Sequence, residues 1–177
     1  MKKLICLSAA LLLAFGAAEA SLLDIYGGVT GSVGNSVTFL PRADGGKFKE
    51  HSNSFGAVVG VDIPLLRVEG EYGYMAGKDL GLSALMLNGY LKAPIPYVKP
   101  YAGVGIGSVL GGKVGGDDAK ASSALQGMAG IQFEIPKTSL FIDFEGRLFY
   151  AFAVREILDH DIGFYQYDWR MKVRYAF

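Results

Sequence analysis

The chain has 177 residues, carries 17 Lys and Arg against 17 Asp and Glu, and is 51% apolar, with a mean hydropathy of +0.29. Balanced charge removes the basic excess that nucleic acid or an anionic bilayer surface would attract. A single cysteine excludes an intrachain disulfide framework, and the length suits one domain.

At the start, Lys2 and Lys3 precede an apolar stretch over 4–18 that closes on Ala18-Glu19-Ala20 before Ser21. Charge, length and small-residue site predict a signal peptide over 1–20, with Sec-type export and cleavage near Ala20. The stretch is short of the ~20 apolar residues of a spanning helix. Cys6 sits inside it, too near the start for a usual lipoprotein site, and reads as apolar filler. Removing Lys2, Lys3 and Glu19 leaves 157 residues with 15 bases, 16 acids and no cysteine. An exported chain of that kind folds on its own core or is held by a membrane.

The mature part contains no apolar run approaching a membrane helix, so a closed barrel of strands is the remaining way to satisfy its backbone in lipid. Strands are predicted near 22–32, 53–63, 66–76, 82–93, 97–110, 121–135, 139–152 and 163–177. The first connection, 33–52, is long and mixes Phe39, Leu40 and Phe48 with Arg42, Lys47 and Lys49. A tight turn follows at Ile63-Pro64-Leu65. In the third segment Val68, Gly70, Tyr72 and Tyr74 alternate with Arg67, Glu69, Glu71 and Gly73. Then come a polar connection at 77–81, a proline turn at Ala93-Pro94-Ile95-Pro96, a polar connection at 111–120 and a turn at Ile135-Pro136-Lys137. Ile142, Phe144, Gly146, Leu148 and Tyr150 alternate with Asp143, Glu145, Arg147 and Phe149. After a polar connection at 153–162, the last segment is the clearest. Tyr165, Tyr167, Trp169, Met171, Val173, Tyr175 and Phe177 alternate with Gln166, Asp168, Arg170, Lys172, Arg174 and Ala176.

A period of two is strand-like and unlike an amphipathic helix. Short and long connections alternate, and the strand number is even. The expected fold is therefore all-β: an eight-stranded antiparallel up-and-down transmembrane β-barrel with both termini at the periplasmic end. Trp169 and Phe177, eight residues apart on one face, are separated by roughly 20 Å along the axis, close to the ~25 Å apolar band. Tyr72, Tyr74, Tyr150, Tyr165, Tyr167 and Trp169 are expected in an external aromatic girdle, and Tyr175 in a periplasmic one. The alternative, a soluble β-sandwich, gives no reason for aromatic rims at membrane spacing.

The alternation turns a set of charges into the lumen: the acids Asp24, Asp62, Glu69, Glu71, Glu134, Asp143, Glu145 and Asp168, and the bases Arg67, Lys92, Lys99, Arg147, Arg170, Lys172 and Arg174. An eight-stranded barrel is just wide enough for side chains to fill, so near-balance there predicts an ion-pair network that closes the lumen. The inward Gly28, Gly56, Gly60, Gly103, Gly105 and Gly107 either receive long side chains from facing strands or line a narrow conduit for water or a small solute.

Lys99-Pro100-Tyr101-Ala102-Gly103-Val104-Gly105-Ile106-Gly107 and the terminal Met171-Lys172-Val173-Arg174-Tyr175-Ala176-Phe177 resemble the small eight-stranded outer-membrane barrels similar to the transmembrane domain of outer membrane protein A. The resemblance implies location in a Gram-negative outer membrane among lipid and lipopolysaccharide. It also implies recognition of Phe177, with Tyr175, by the barrel-assembly machinery, and use of the loops in adhesion or host contact. No peptidoglycan-binding domain is expected after Phe177, so wall anchoring is not implied. A monomer is expected.

Some barrels of this size are lipid A deacylases or palmitoyltransferases, and His51-Ser52-Asn53 places a histidine beside a serine near the outer interface. Deacylases carry His-x-Ser-Asn on a later strand with a carboxylate nearby, so the shorter spacing here leaves no catalytic residue to name. Gly103-Val104-Gly105-Ile106-Gly107 is no dinucleotide loop, because no helix follows it. Asp159-His160-Asp161 and Asp117-Asp118 read as solvated loop tips. No cofactor or metal is expected. The leading functional expectation is a structural surface barrel with a closed polar lumen; a conduit and a lipid A-modifying enzyme are the alternatives.

Overall fold

The computed structural model describes residues 23–33, 36–41, 47–78, 80–114, 117–157 and 160–177. The expected signal peptide, Arg42 and Asp159 lie outside the described residues. Ten strands occur among them: β1 (Asp24–Ser32), β2 (Ser36–Pro41), β3 (Lys47–Asp62), β4 (Leu66–Gly77), β5 (Leu80–Lys92), β6 (Val98–Val114), β7 (Asp117–Ala119), β8 (Ser122–Glu134), β9 (Leu140–Ile157) and β10 (His160–Ala176).

Eight of these make the wall. β1 pairs with β3, and the ladder runs on through β4, β5, β6, β8, β9 and β10, every pairing antiparallel. β10 then returns to β1, with Tyr26 opposite Ala176 and Ser32 opposite Arg170, which closes the barrel and leaves no edge. The end holding Asp24, Ala176 and the three proline-containing turns is called the lower end below.

Boundaries follow the expected strands, but the upper connections do not. Residues 33–52 were expected as a long loop. Instead β2 continues the line of β1 between β3 and β10, with Thr38 opposite both Glu50 and Gln166. Between the pair Gly31–Phe55 and the pair Ser36–Ser52, β1–β2 advances five residues while β3 retreats three, so the register shifts by two. The Ser54 N–H donates to Ser32 Oγ at 2.9 Å beside this irregularity. Likewise 77–81 shrinks to Lys78 and Asp79, β6 and β7 pair across 111–119, and β9 and β10 run on to Ile157 and from His160. Polarity and glycine at these positions do not end the strands, since backbone pairing does not depend on side-chain character.

Burial is inverted relative to a soluble protein. Val29, Val59, Leu91, Val104 and Ile106 face outward, while twelve charged side chains are buried within the barrel. Such a contiguous apolar exterior needs an apolar solvent. Aromatic pairs stand on the outer wall: Phe55–Tyr74 at 5.3 Å, Tyr150–Phe152 at 4.7 Å and Tyr165–Tyr167 at 6.0 Å near the top, and Tyr175–Phe177 at 5.6 Å at the bottom. Tyr72 and Trp169 also face outward on the upper wall. From Tyr165 to Tyr175 is ten residues, or about 25 Å along the axis at ~3.3 Å per residue and ~40° tilt.

Candidate functional site: the lumen

Alternation sends every second side chain inward, and the lumen they fill has three levels. In the lower one, Asp62 binds Lys92 and accepts from Arg174 at 3.3 Å. Arg174 also forks onto Asp143 at 2.7 and 3.1 Å, and Arg67 Nη1 reaches the same carboxylate at 3.1 Å. Arg67 lies between the rings of Tyr90 and Tyr101, 4.0 and 4.5 Å from their centroids. That stacking gives its guanidinium a partner although Nε and Nη2 make no hydrogen bond.

The middle level is centred on three glutamates. Glu69 accepts from Lys172 at 2.6 Å, Tyr26 at 2.7 Å and Tyr90 at 3.0 Å. Glu71 takes Arg170 Nη1, with Asn88 at 2.9 Å and Gln126 at 3.3 Å. Arg170 Nη2 binds Glu145, to which Tyr101 also donates at 3.1 Å. Above them Arg147 forks onto Asp168 at 2.9 and 2.5 Å, Ser54 donates to the same carboxylate at 2.6 Å, and Gln166 donates to Ser52 at 2.8 Å.

The upper level is apolar. Met75, Leu80, Leu82, Met86, Val109, Phe149 and Phe164 form a buried cluster inside the barrel, with the Phe149 and Phe164 rings 5.9 Å apart. This plug was not expected from the sequence. In the segment 82–93 both faces are mostly apolar, so Asn88 and Lys92 alone set the phase that points Leu82 and Met86 into the lumen.

Of the fifteen charges expected to face inward, Asp62, Arg67, Glu69, Glu71, Lys92, Asp143, Glu145, Arg147, Asp168, Arg170, Lys172 and Arg174 are buried, six acids with six bases. Asp24, Lys99 and Glu134 are half-buried at the lower mouth, where Lys99 binds Glu134 at 2.8 Å. Neutral partners missed at the sequence level are Tyr26, Asn88, Tyr90, Tyr101 and Gln126. All five share the parity of an inward charge on their own strand: Tyr26 of Asp24, Asn88 and Tyr90 of Lys92, Tyr101 of Lys99, and Gln126 of Glu134.

Six inward glycines receive large neighbours, whereas Gly56 lies opposite Gly73 and Thr30. Gly28 is directly opposite Arg174, Gly60 opposite Tyr26, Gly103 opposite Tyr90, Gly105 opposite Asn88, Gly107 opposite Met86 and Gly130 opposite Tyr101. In each pair a Cβ on the glycine would collide with that partner's side chain. Large thus meets small across the ladder, the arrangement by which aromatic side chains cover strand glycines. His51 is exposed and Ser52 buried, so the two lie on opposite faces of β3 and do not form a nucleophile–base pair. Gly103–Gly107 lies in mid-strand in β6.

No protein-family model matches the sequence, and no curated protein matches it. Among solved structures, the chain is similar to Neisserial surface protein A at 17% identity, over 86% of this chain and 97% of that one, with a TM-score of 0.60. It is similar to the N-terminal β-barrel domain of Pseudomonas aeruginosa OprF at 10% identity, over 90% of this chain and 100% of that one, with a TM-score of 0.57. At such identities the likeness is one of architecture: the fold is that of the small eight-stranded outer-membrane β-barrels.

Proposed function

We propose that the chain is a structural component of a Gram-negative outer membrane, a monomeric barrel with a closed lumen and surface-exposed upper hairpins. One observation carries the reading: twelve buried charges neutralise one another beneath an apolar plug. A water-filled path would leave such side chains hydrated and the inward glycines uncovered. The apolar exterior and its aromatic rims support location in lipid, with the lower end in the periplasm and the upper end outside. Export on the N-terminal signal with cleavage near Ala20, lipopolysaccharide as outer neighbour, and recognition of Phe177 and Tyr175 during assembly belong to the same reading. The network fixes strand register more than it adds stability, because desolvation offsets much of the pairing energy.

The test is planar-bilayer recording of the purified, refolded protein. The expected result is no discrete conductance; reproducible single-channel steps would replace the closed barrel with the conduit. Use of the upper hairpins in adhesion or host contact is the finer part of the proposal, supported by their extension above the aromatic rim. Cells expressing the protein with the β2–β3 hairpin shortened should adhere less to host cells, and equal adherence would remove that role.

A further inference from the structure

We infer that the upper edge of β3, over Lys47–His51, is a docking strand for an extended acidic peptide segment of another protein, which joins the sheet there as one more strand. The inference rests on the reading that the upper hairpins stand outside the cell, and it names the class of partner they hold.

The edge follows from unequal strand lengths. β3 runs from Lys47 to Asp62, whereas its neighbour β4 ends at Gly77, opposite Ser52. On the other side of β3 the ladder with β2 continues up to Lys47 opposite Pro41. Among the described residues, the five from Lys47 to His51 therefore have a ladder on one side only. In an antiparallel strand alternate residues direct their N–H and C=O to opposite neighbours, so every second residue of this stretch presents both groups on the open side. Such a row is a template for a further strand. The stretch contains no proline, so no donor is missing from it.

Position and charge select the partner. The stretch lies four to eight residues above Phe55 of the aromatic rim, or about 10 to 20 Å beyond it at ~3.3 Å per residue and ~40° tilt, within reach of a soluble protein. β9 has a comparable overhang from Phe152 to Ile157 above its ladder with β8, but β7 lies beside β9, which leaves β3 with the open edge. Lys47-Phe48-Lys49-Glu50-His51 carries two lysines against one glutamate. Edge lysines disfavour pairing with a second copy, which brings the same charge, and favour a strand that carries carboxylates.

The probe is a capped peptide of alternating glutamate and valine, titrated into the isotope-labelled chain in lipid nanodiscs and followed by amide chemical shifts. One control has lysine for glutamate; the other keeps the glutamates but is N-methylated at every central residue, so that it donates no ladder hydrogen bond. The acidic peptide should shift the amides of Lys47–His51 saturably and slow their hydrogen exchange, and neither control should. Lys47→Glu with Lys49→Glu should weaken the acidic peptide at least tenfold and admit the lysine peptide, with the Arg170 and Trp169 resonances unchanged as the sign of an intact barrel. Absence of saturable shifts in the unaltered protein, equal binding of the N-methylated peptide, binding within twofold in the charge-reversed variant, or the same shifts on raising the protein concentration alone would each overturn the edge. Adherence that depends on the β2–β3 hairpin without these shifts would strike the edge and leave the adhesion reading in place.

Discussion

Replacing Arg170 by alanine measures whether the lumen is dry. Arg170 joins Glu71 to Glu145, and the three side chains are 1%, 2% and 0% exposed. After the change Glu71 keeps Asn88, Gln126 and Arg147 at 3.8 Å, and Glu145 keeps Tyr101 and Lys172 at 3.8 Å. Compensation is partial, so the loss should fall near the lower end of the ~3–5 kcal/mol found when one partner of a buried pair is removed. A loss of about 3 kcal/mol is more than a hundredfold in the folding equilibrium. In a water-filled lumen the same pairs would behave as exposed ones, worth ~0–1 kcal/mol. Urea unfolding in lipid vesicles, followed by the fluorescence of the single Trp169, reads the difference provided the slope m is unchanged. A loss below ~1 kcal/mol would refute the closed network. The neutral triple variant Arg170→Met, Glu71→Gln, Glu145→Gln should recover stability over Arg170→Ala, because no unpaired charge is left behind. Failure to recover would assign the loss to packing.

Phe149→Ala empties a fully buried ring position in the plug and should cost about 3–5 kcal/mol in the same titration. Gly60→Ala places a Cβ 2.6 Å from the Tyr26 hydroxyl that donates to Glu69 and should cost ~1–3 kcal/mol, whereas Gly127→Ala, with nothing within 4 Å, should stay within ~0.5 kcal/mol; equal effects would deny the glycines their packing role. Val104→Arg, on an outward position 71% exposed, should cost ~2–4 kcal/mol in vesicles, and Val104→Leu should be neutral. Phe177→Ala, at a residue 85% exposed, should slow appearance of the heat-modifiable folded band in cells while leaving the refolding midpoint unchanged; loss of both would make Phe177 a packing residue.

The wall was legible because three segments, around Arg67–Glu71, Asp143–Arg147 and Asp168–Arg174, place charge on every second residue, and lipid outside permits only one phase. The plug was not legible, because alternation is faint where both faces are mostly apolar, as in 82–93, where Asn88 and Lys92 alone mark the inward side. The upper hairpins were misread for the opposite reason. Polar and glycine-rich segments resemble loops in composition, yet the backbone ladder continues through them. Glycine roles were also hidden. Gly60 is 34 residues from Tyr26, and only the β1–β3 register reveals that the ring covers it.

The three lumen levels depend on one another through water. In the proposed closed lumen, the apolar plug denies water access from above and the lower cluster around Asp62 and Asp143 obstructs it from below, so the glutamates between them interact at low effective dielectric. That setting makes every unpaired charge expensive, which explains why the buried acids and bases match in number and why Asp24, Lys99 and Glu134 stand at the mouth where solvent still reaches them. The small–large pairing of glycines with Tyr26, Tyr90, Tyr101 and Arg174 supplies the room that such matching needs, since an eight-stranded barrel has little to spare. On the proposed function, charge balance, glycine placement and plug are therefore one solution to a single constraint, the exclusion of water from a narrow polar interior.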